Sequence, residues 1–454
     1  MASPAYDFNY VYSAQSAVRK TDSGAFVALA TSRDDAAKVP LFFDGRVVQP
    51  DLVGALMLAV SRVALSRYYL PPAMVSRLIR MADPVVTVAG ECIRFESFSQ
   101  CCGVYARLDL LPESLDGQFG RHGTTNVDFN EPMRAALAAL RGNHDVRLAV
   151  GADHVRLEKD SEAVIERKVA LPVRWLKGFV ESQVYATRLR LCFETDGPQA
   201  RRFLSGLSNQ VKPADNVFVT SSGGTFRVSR SGKGMAAAGL GRLQVLKPVA
   251  RQATQLRVYG CDDAPVSGWE LTFPGARFTL ILSGDVSRGF SGEGQVLESL
   301  AVKNANAAVA RVRSLLAWQT DLSAEDLASQ ADATPDDIDI ALAVLGSRGL
   351  IGYDPHDGTY FHRELPFDMA AVETLHPRLK GARRLVEDGA VELSPAGEPL
   401  SAFVAGSGTR HHVRGHDGGL TCTCEWYAKY KGGRGPCKHM LAVQIELEEQ
   451  SHER

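Results

Sequence analysis

The chain of 454 residues is long enough for two to four domains. Its apolar content of 45%, charged content of 23% and net charge of −1 are those of an ordinary globular protein, and they provide no overall attraction to nucleic acid or acidic membranes. The first residues lack the basic-then-apolar pattern of a secretory signal. The most apolar run, 53–70, carries Arg62 and Arg67 and predicts a buried helix instead of a membrane span. We therefore expect a cytoplasmic location with reduced cysteines.

An α+β region is predicted at the N-terminus, over residues 1–99. Apolar residues recur at helical spacing over Leu52–Tyr69, after Pro50, which is suited to a helix start. Two runs behind it, Val85–Val88 and Glu91–Phe98, predict a hairpin. Helices and strands mixed in this way favour an α+β, multidomain fold class for the whole chain.

The central region, residues 100–296, contains a weak internal repeat. Three segments alternate as strands with one wet face, and the first two are each followed by a helix that begins at a proline, a hairpin and a closing helix. The period of about 65–70 residues is too long for a solenoid, so it predicts two α+β units related by pseudo-symmetry. This order resembles in outline the strand–helix–hairpin units of DNA sliding clamps. The three segments are Gly103–Leu110, Val184–Leu191 and Ala253–Tyr259.

Residues 297–393 predict a helix–turn–helix followed by a hairpin and a further helix. After a first helix over 297–319, Ser323 and Thr334 are suited to cap two more helices, and Gly346 is suited to end the last of them. This order is similar to a winged helix. Carboxylates at the start of its presumed recognition helix would repel phosphate, which favours internal packing or protein docking over DNA reading. These carboxylates belong to Asp336, Asp337 and Asp339.

The clearest pattern in the chain is a set of three cysteines and one histidine near the C-terminus. One residue separates Cys422 from Cys424, and one residue separates Cys437 from His439. Twelve residues lie between these two pairs. Alternate residues of a strand point the same way, which suits the first pair, and Pro436 is suited to begin a helix that carries the second. Three thiolates and one imidazole form a closed structural zinc shell. We therefore predict Zn²⁺ bound by Cys422, Cys424, Cys437 and His439.

This C-x-C … C-x-H pattern resembles the SWIM-type zinc finger. The resemblance covers about residues 400–450 and includes two short β segments, Ala402–Ala405 and His411–Arg414, while Glu425 and Trp426 replace the small residue or proline that is usual there. It implies a ββα zinc module that binds DNA, protein or both. Bacterial multidomain SWIM proteins are similar in having a long α+β region before the finger. Some of them are associated with MoxR-type ATPases and von Willebrand A proteins, which implies an assembly partner.

The predicted finger is locally basic and carries interleaved aromatic residues. Such residues can hold phosphates and stack on bases, and they are equally the hot spots of protein interfaces. Trp426 and Tyr427 could instead simply cover the zinc site. The histidines of the preceding hairpin, His411, His412 and His416, offer either an alternative ligand or a solvated surface. The residues predicted to contact a partner are Lys429, Tyr430, Lys431, Arg434 and Lys438.

No segment carries a motif typical of catalysis. A zinc ion with four protein ligands has no open position for a reacting water, and the glycine-rich stretch around Lys233 lacks the spacing of a phosphate-binding loop. The sequence therefore predicts a non-enzymatic, zinc-binding adaptor that recruits a protein or nucleic-acid partner. The alternative is a nucleic-acid-binding regulator that uses the finger and the winged helix together.

Overall fold

The structure is a computed structural model of the 454-residue chain. The chain divides into two units, Met1–Pro40 and Leu41–Arg454. In the first unit, strands β1 (Ala17–Thr21) and β2 (Gly24–Ala28) form an antiparallel hairpin. The residues that the structure describes are 17–21, 24–28, 40–68, 84–160, 162–171, 173–208, 216–230, 232–286, 289–292, 294, 297, 307–365, 377–395, 399–406, 408–416, 419–432 and 434–452.

Strands β3 to β18 and helices α1 to α4 form the larger part of the second unit. Short 3₁₀ helices at Pro112–Ser114 and Leu240–Leu246 join some of them. In chain order the elements are β3 (Leu41–Val47), α1 (Pro50–Leu65), β4 (Val85–Ala89), β5 (Cys92–Phe98), β6 (Val104–Leu110), β7 (Leu115–Phe119), β8 (Gly123–Asn126), α2 (Glu131–Ala138), β9 (Val146–Gly151), β10 (His154–Lys159), β11 (Glu162–Arg167), α3 (Val173–Ala186), β12 (Arg190–Asp196), α4 (Gly197–Gly206), β13 (Asn216–Ser222), β14 (Thr225–Ser229), β15 (Met235–Ala238), β16 (Gln255–Gly260), β17 (Ser267–Phe273) and β18 (Ala276–Leu282).

These strands form three antiparallel sheets. The five-stranded sheet has the order β11-β10-β9-β3-β7, the eight-stranded sheet has the order β12-β16-β17-β18-β6-β5-β4-β8, and the three-stranded sheet has the order β14-β13-β15. Strands β5 and β6 lie on either side of the predicted border at residue 99, yet they are neighbours in the eight-stranded sheet. The mixed helix and sheet content agrees with the predicted fold class.

Helix α1 packs against the middle of the eight-stranded sheet. It begins at Pro50, as the sequence predicts, and its apolar residues Leu52, Leu56, Val60 and Val63 are buried against β5, β6 and their neighbours. Burying a side chain of this size contributes about 1.5–3 kcal/mol, so this stripe is what holds the helix on the sheet.

The polar face of β6 and of its neighbour β5 is buried as well, which corrects the prediction of a wet face for Gly103–Leu110. Every residue of these two strands is buried, including Arg94, Glu96, Arg107 and Asp109. Alternation places charged and apolar side chains on opposite faces of a strand, but it does not say whether the polar face meets water. Here another part of the chain covers it.

Several elements that were predicted for the internal repeat are present, and one predicted element is wrong. The predicted strand Val184–Leu191 is wrong, because α3 continues to Ala186 and β12 begins only at Arg190. The predicted helices at Pro132 and Pro198 are present as α2 and α4, and the predicted hairpins are present as β9–β10 and β13–β14. The two-fold relation between these units remains a prediction.

The helix–turn–helix and hairpin order of the sequence is present after residue 306. Ser323 and Thr334 cap their helices as predicted, because their hydroxyl groups accept hydrogen bonds from the backbone N–H of Asp326 and Asp337. The part of the predicted first helix over 298–306 lies outside the described residues, and the winged-helix fold itself remains a prediction. The elements are α5 (Ala307–Leu315), α6 (Ala324–Ala331), α7 (Pro335–Ser347), β19 (Ile351–Asp354) and β20 (Thr359–His362).

The β19–β20 hairpin covers the charged face of β5 and β6. Asp354, at its turn, accepts hydrogen bonds from Arg107 Nη2 at 2.6 Å and from Arg277 Nη2 at 3.0 Å. Asp109 accepts from Arg94 Nε at 2.5 Å and from Arg107 Nε at 2.9 Å. The five side chains form one buried network of alternating charge. This network fixes the hairpin on the eight-stranded sheet.

Further polar contacts continue along the same face. Arg363, just after β20, pairs with the buried carboxylate of Glu96. His356 Nδ1 lies 2.5 Å from the buried carboxylate of Glu270. The hairpin of the winged-helix-like segment is therefore used for contacts inside the chain.

From residue 377 onward, the described residues form a four-stranded antiparallel sheet, in the order β21-β22-β23-β24, with three helices. Strand β21 lies before the predicted start of the finger at residue 400, but Leu393 pairs with Ala402 in β22. Among the described residues, no helix is long and apolar enough to cross a membrane. The elements are α8 (Pro377–Glu387), β21 (Val391–Leu393), β22 (Ser401–Gly406), β23 (Thr409–His416), β24 (Gly419–Cys422), α9 (Glu425–Tyr430) and α10 (Lys438–His452).

Helix α10 shares an apolar core with helices outside the finger. It packs along α8, and residues of both helices lie in one apolar cluster with Val180 of α3. The C-terminal module is therefore continuous with the rest of the unit. The buried residues of this shared core are Val180, Leu297, Leu379, Ala382, Leu441, Ala442 and Ile445.

Candidate metal centre

The four predicted zinc ligands come together where three elements meet. Cys422 ends β24, Cys424 caps the start of α9, Cys437 immediately precedes α10, and His439 lies in the first turn of α10. All four are buried, and their ligand atoms lie within 4.8 Å of one another. Within the residues that the structure describes, this is the group that could hold a metal ion.

The spacing of these atoms fits a tetrahedral zinc ion. Nδ1 of His439 lies 3.8 Å from Sγ of Cys422 and 4.0 Å from Sγ of Cys437. Zinc–sulfur bonds of about 2.3 Å in a tetrahedron place neighbouring ligand atoms about 3.8 Å apart. The donor set, its burial and its spacing therefore fit Zn²⁺, as predicted.

Backbone N–H groups support the thiolates. Sγ of Cys424 accepts a hydrogen bond from the N–H of Tyr427, and Sγ of Cys437 accepts one from the N–H of Met440, both at 3.4 Å. These donors are free because the first N–H groups of a helix have no partner within it. The starts of α9 and α10 thus stabilise negative charge on two of the three sulfur atoms.

The pKa shifts at the site differ between the thiols and the histidine. A hydrogen bond to Cys422 and burial raise the pKa of the Cys437 thiol, and burial raises that of Cys424. These thiols hold their protons until a cation replaces them, so zinc binding releases protons. Burial, together with the charges of His411 and Lys438, lowers the pKa of His439 to about 4. Its imidazole is therefore neutral near pH 7, which is the form that binds metal.

The neighbouring histidines lie outside the ligand set. The ring of His411 packs on His439, with 4.2 Å between the ring centroids. The ring of His412 hydrogen-bonds Ser401 at 2.7 Å and stacks on Phe403. The hypothesis of an alternative histidine ligand is therefore not supported by the grouping of the ligand atoms.

Arg378 supports the zinc loop and was not identified from the sequence as part of the site. Its Nη1 donates to the carbonyl oxygens of Arg434 at 2.8 Å and Pro436 at 2.7 Å. Its guanidinium also lies 4.5 Å from the ring of Trp426. Arg378 is on α8, far from the ligands in the chain, so no spacing rule could connect it with them.

The residues predicted to contact a partner form a stacked surface on α9 and the loop after it. The guanidinium of Arg434 lies 5.1 Å from the ring of Trp426 and 4.6 Å from that of Tyr430. The two rings are 4.5 Å apart, and the ammonium group of Lys429 lies 5.4 Å from Tyr430. Lys429 and Lys431 are exposed. We call Lys429, Tyr430, Lys431 and Arg434 the tip surface; the fifth predicted residue, Lys438, lies beside the metal ligands.

Comparison with solved structures finds low similarity to sliding clamps. Proliferating cellular nuclear antigen from Entamoeba histolytica is 10% identical, with a TM-score of 0.37, over 54% of this chain and 99% of that one. A. fulgidus PCNA bound to the C-terminal region of FEN-1 is 11% identical, with a TM-score of 0.36, over 53% and 97%. Similarity at this level carries no argument about this chain.

Comparison with protein families agrees with the metal centre. No curated protein matches the chain. Residues 411–447 match the model of the SWIM zinc finger family, and this segment contains all four clustered ligands. The C-terminal segment of this chain is therefore a SWIM zinc finger whose ligands fit Zn²⁺.

Proposed function

We propose that this protein is a non-enzymatic adaptor, whose zinc-stabilised finger recruits a protein or nucleic-acid partner through its tip surface. The observation that carries this proposal is the stack of Trp426, Arg434, Tyr430 and Lys429 on the outside of the zinc centre. Tryptophan, tyrosine and arginine are the residues that contribute most to binding at interfaces.

The closed zinc shell supports a binding role over a catalytic one. Four protein ligands leave no coordination position for water or substrate, so the metal acts as a structural element. Its role is to hold the α9 helix and the following loop in the shape that presents the tip surface. A MoxR-type ATPase or a von Willebrand A protein is the first candidate partner, by resemblance to the bacterial multidomain proteins described above.

Replacing Lys429, Lys431 and Arg434 with alanine is expected to remove partner binding and to leave the zinc in place, because none of the three is a ligand. If the partner is duplex DNA, four phosphate contacts by these residues and Lys438 predict a log–log salt slope of about −3 to −4. The triple variant would flatten that slope by about 3 units. Titrations at several salt concentrations, with zinc analysis of both proteins, provide the measurement.

The matched control is a triple alanine variant at three exposed arginines away from the finger, Arg201, Arg202 and Arg227. It removes the same charge and should not affect binding. If the wild type binds no nucleic acid, capture of a protein partner by wild type and not by the tip variant becomes the test. Equal binding by wild type and the tip variant would contradict the proposal.

A nucleic-acid-binding regulator remains the second candidate, because the finger is basic and carries aromatic residues. The winged-helix-like segment does not add to it, since its hairpin is fixed on the sheet and helix α7 begins with aspartates.

We therefore expect that changing Asp336, Asp337 and Asp339 to asparagine does not weaken any binding to DNA or RNA, since carboxylates there repel phosphate. Binding isotherms of this variant and the wild type at one salt concentration provide the measurement. A marked loss of affinity would mean that these carboxylates contact bases or a metal.

A further inference from the structure

A groove lies beside the zinc centre, between the start of α8, the tip of the β22–β23 hairpin and helix α9. Its volume is about 410 Å³, which is enough for a few side chains of a partner. The zinc ligands form its floor on one side. Its walls include Arg378, His411, Glu425, Trp426, Lys438 and His439.

Two hydrogen-bond donors on these walls have no acceptor among the described residues. They are Nε1 of Trp426 and Nε2 of His439, and both are shielded from solvent. Because Nδ1 of His439 faces the thiolates, the neutral ring carries its proton on Nε2. A metal-bound histidine usually donates this proton to a carboxylate, a carbonyl or a water. A buried donor without a partner is unfavourable, so an acceptor that enters the groove would gain from these two groups.

The ring that covers His439 can give way to such an acceptor. His411 packs on His439 but is itself only half-buried, at the open end of the hairpin. Its Nε2 lies 3.4 Å from Oγ1 of Thr409, which is a long hydrogen bond. Rotation of the His411 side chain would expose Nε2 of His439 to the groove.

The charges around the groove indicate which acceptor fits. Arg378 and Lys438 are positive, Glu425 is negative, and zinc with three thiolates carries one net negative charge. The positive and negative charges around the groove therefore sum to zero, whereas the two N–H donors of Trp426 and His439 have no acceptor among the described residues. A single carboxylate supplies acceptors with little excess charge. A nucleic-acid backbone is charged at every nucleotide and would also approach Glu425 and the thiolates.

We propose that this groove binds an aspartate or glutamate side chain that a short segment of a partner protein presents. The inference rests on the proposed adaptor function and specifies the chemistry of its partner. The carboxylate accepts hydrogen bonds from Trp426 and His439, and Arg378 and Lys438 offset the negative charges of Glu425 and the thiolates beside it. Apolar residues on either side of the carboxylate pack against the indole ring of Trp426.

The test uses the indole N–H signals of the full, zinc-loaded chain labelled with ¹⁵N-tryptophan. The chain has four tryptophans, and the Trp426→Phe variant identifies the signal of Trp426. The probes are a short leucine-flanked aspartate peptide, the same peptide with asparagine, and a short thymidine oligonucleotide. We expect the aspartate peptide to shift the Trp426 signal, and the asparagine peptide to bind about tenfold more weakly, since charge-assisted hydrogen bonds are about twice as strong.

Three variants test the groove. Lys438→Gln removes a charge from the groove and should weaken the aspartate peptide about five- to tenfold, while Lys233→Gln is the matched change at an exposed lysine outside the finger and should have no effect. Gly406→Ala adds a methyl group 3.5 Å from Nε2 of His439, which is ordinary contact, so it should block the acceptor and keep the zinc.

Two results would overturn the proposal: a shift of the Trp426 signal by the oligonucleotide and not by the peptide, or equal affinity of wild type and Lys438→Gln for the peptide. The absence of a shift with any probe also overturns it. None of these results affects the adaptor function, which the Lys429, Lys431 and Arg434 triple variant tests separately.

Discussion

A Cys437→Ser variant is expected to lose its zinc and to unfold residues 377–452, while the sheets of residues 41–282 stay folded. In small zinc fingers the metal contributes about 10–16 kcal/mol of folding free energy, which exceeds what the small core of the finger can replace. The unfolding should include α8, because α8 and α10 share one apolar core. Elemental analysis and hydrogen exchange of the two regions provide the measurement.

The matched control for this variant is Cys192→Ser. Cys192 is exposed and lies outside the ligand group, so this change should affect neither zinc content nor exchange. One zinc per chain in the Cys437→Ser variant would contradict the ligand assignment. Protection of α8 in a zinc-free chain would contradict the shared core and leave the metal centre intact.

An Asp354→Asn variant is expected to lower the free energy of unfolding by about 3–5 kcal/mol, because removing one partner of a buried ion pair leaves the other charge uncompensated. Arg107 and Arg277 would lose the carboxylate that they share beneath the β19–β20 hairpin. Asparagine keeps an oxygen for the backbone N–H of His356, which Asp354 bonds at 2.9 Å, so the change isolates the charge. Urea unfolding of both proteins provides the measurement.

The control for this change lies three residues further along the hairpin. Asp357 also pairs with Arg277, at 3.0 Å, but its side chain is 49% exposed. Asp357→Asn should therefore cost less than about 1 kcal/mol, as surface ion pairs do. Equal effects of the two variants would mean that the buried network does not hold the hairpin.

The difference between wild type and Asp354→Asn should depend on pH. Burial alone would raise the pKa of Asp354, but Arg107 and Arg277 outweigh it and hold that pKa well below its ordinary value. An acid with a depressed pKa contributes stability above its ordinary pKa of about 3.9 and loses it as the pH falls toward the depressed value. The difference in unfolding free energy should therefore be constant from neutral pH to about pH 5 and shrink below about pH 4.

The metal centre could be predicted from the sequence because its chemistry is local. Residue types and spacing identify Cys422, Cys424, Cys437 and His439, because a single residue separates the two members of each pair. Helix caps are local in the same sense, so Ser323 could be identified without the fold. Such features depend on the types and spacing of a few residues that are close together in the sequence.

The features that escaped prediction depend on contacts distant in the chain. The charged residues of β6 were predicted to face solvent, because nothing near them in the sequence shows that the hairpin around Asp354 covers them. Arg378 could not be linked to the finger, because its carbonyl partners follow it by more than fifty residues. The stretch Val184–Leu191 has the alternating pattern of a strand, but its first three residues belong to the end of helix α3. Tertiary contacts decide whether such a stretch forms a helix or a strand.

The apolar core shared by α3, α8 and α10 also limits how this finger can be exchanged between proteins over evolution. A gene segment that encodes only residues 400–450 would carry the zinc ligands but leave behind β21, which pairs with β22. It would also separate Leu441 and Ile445 from the apolar cluster that they share with α8 and α3. A transferred finger would then expose an unpaired strand edge and an apolar helix face, both of which promote aggregation. Recombination at this end of the gene would therefore be tolerated only where the break falls before α8, and where the recipient offers a matching helix in the place of α3.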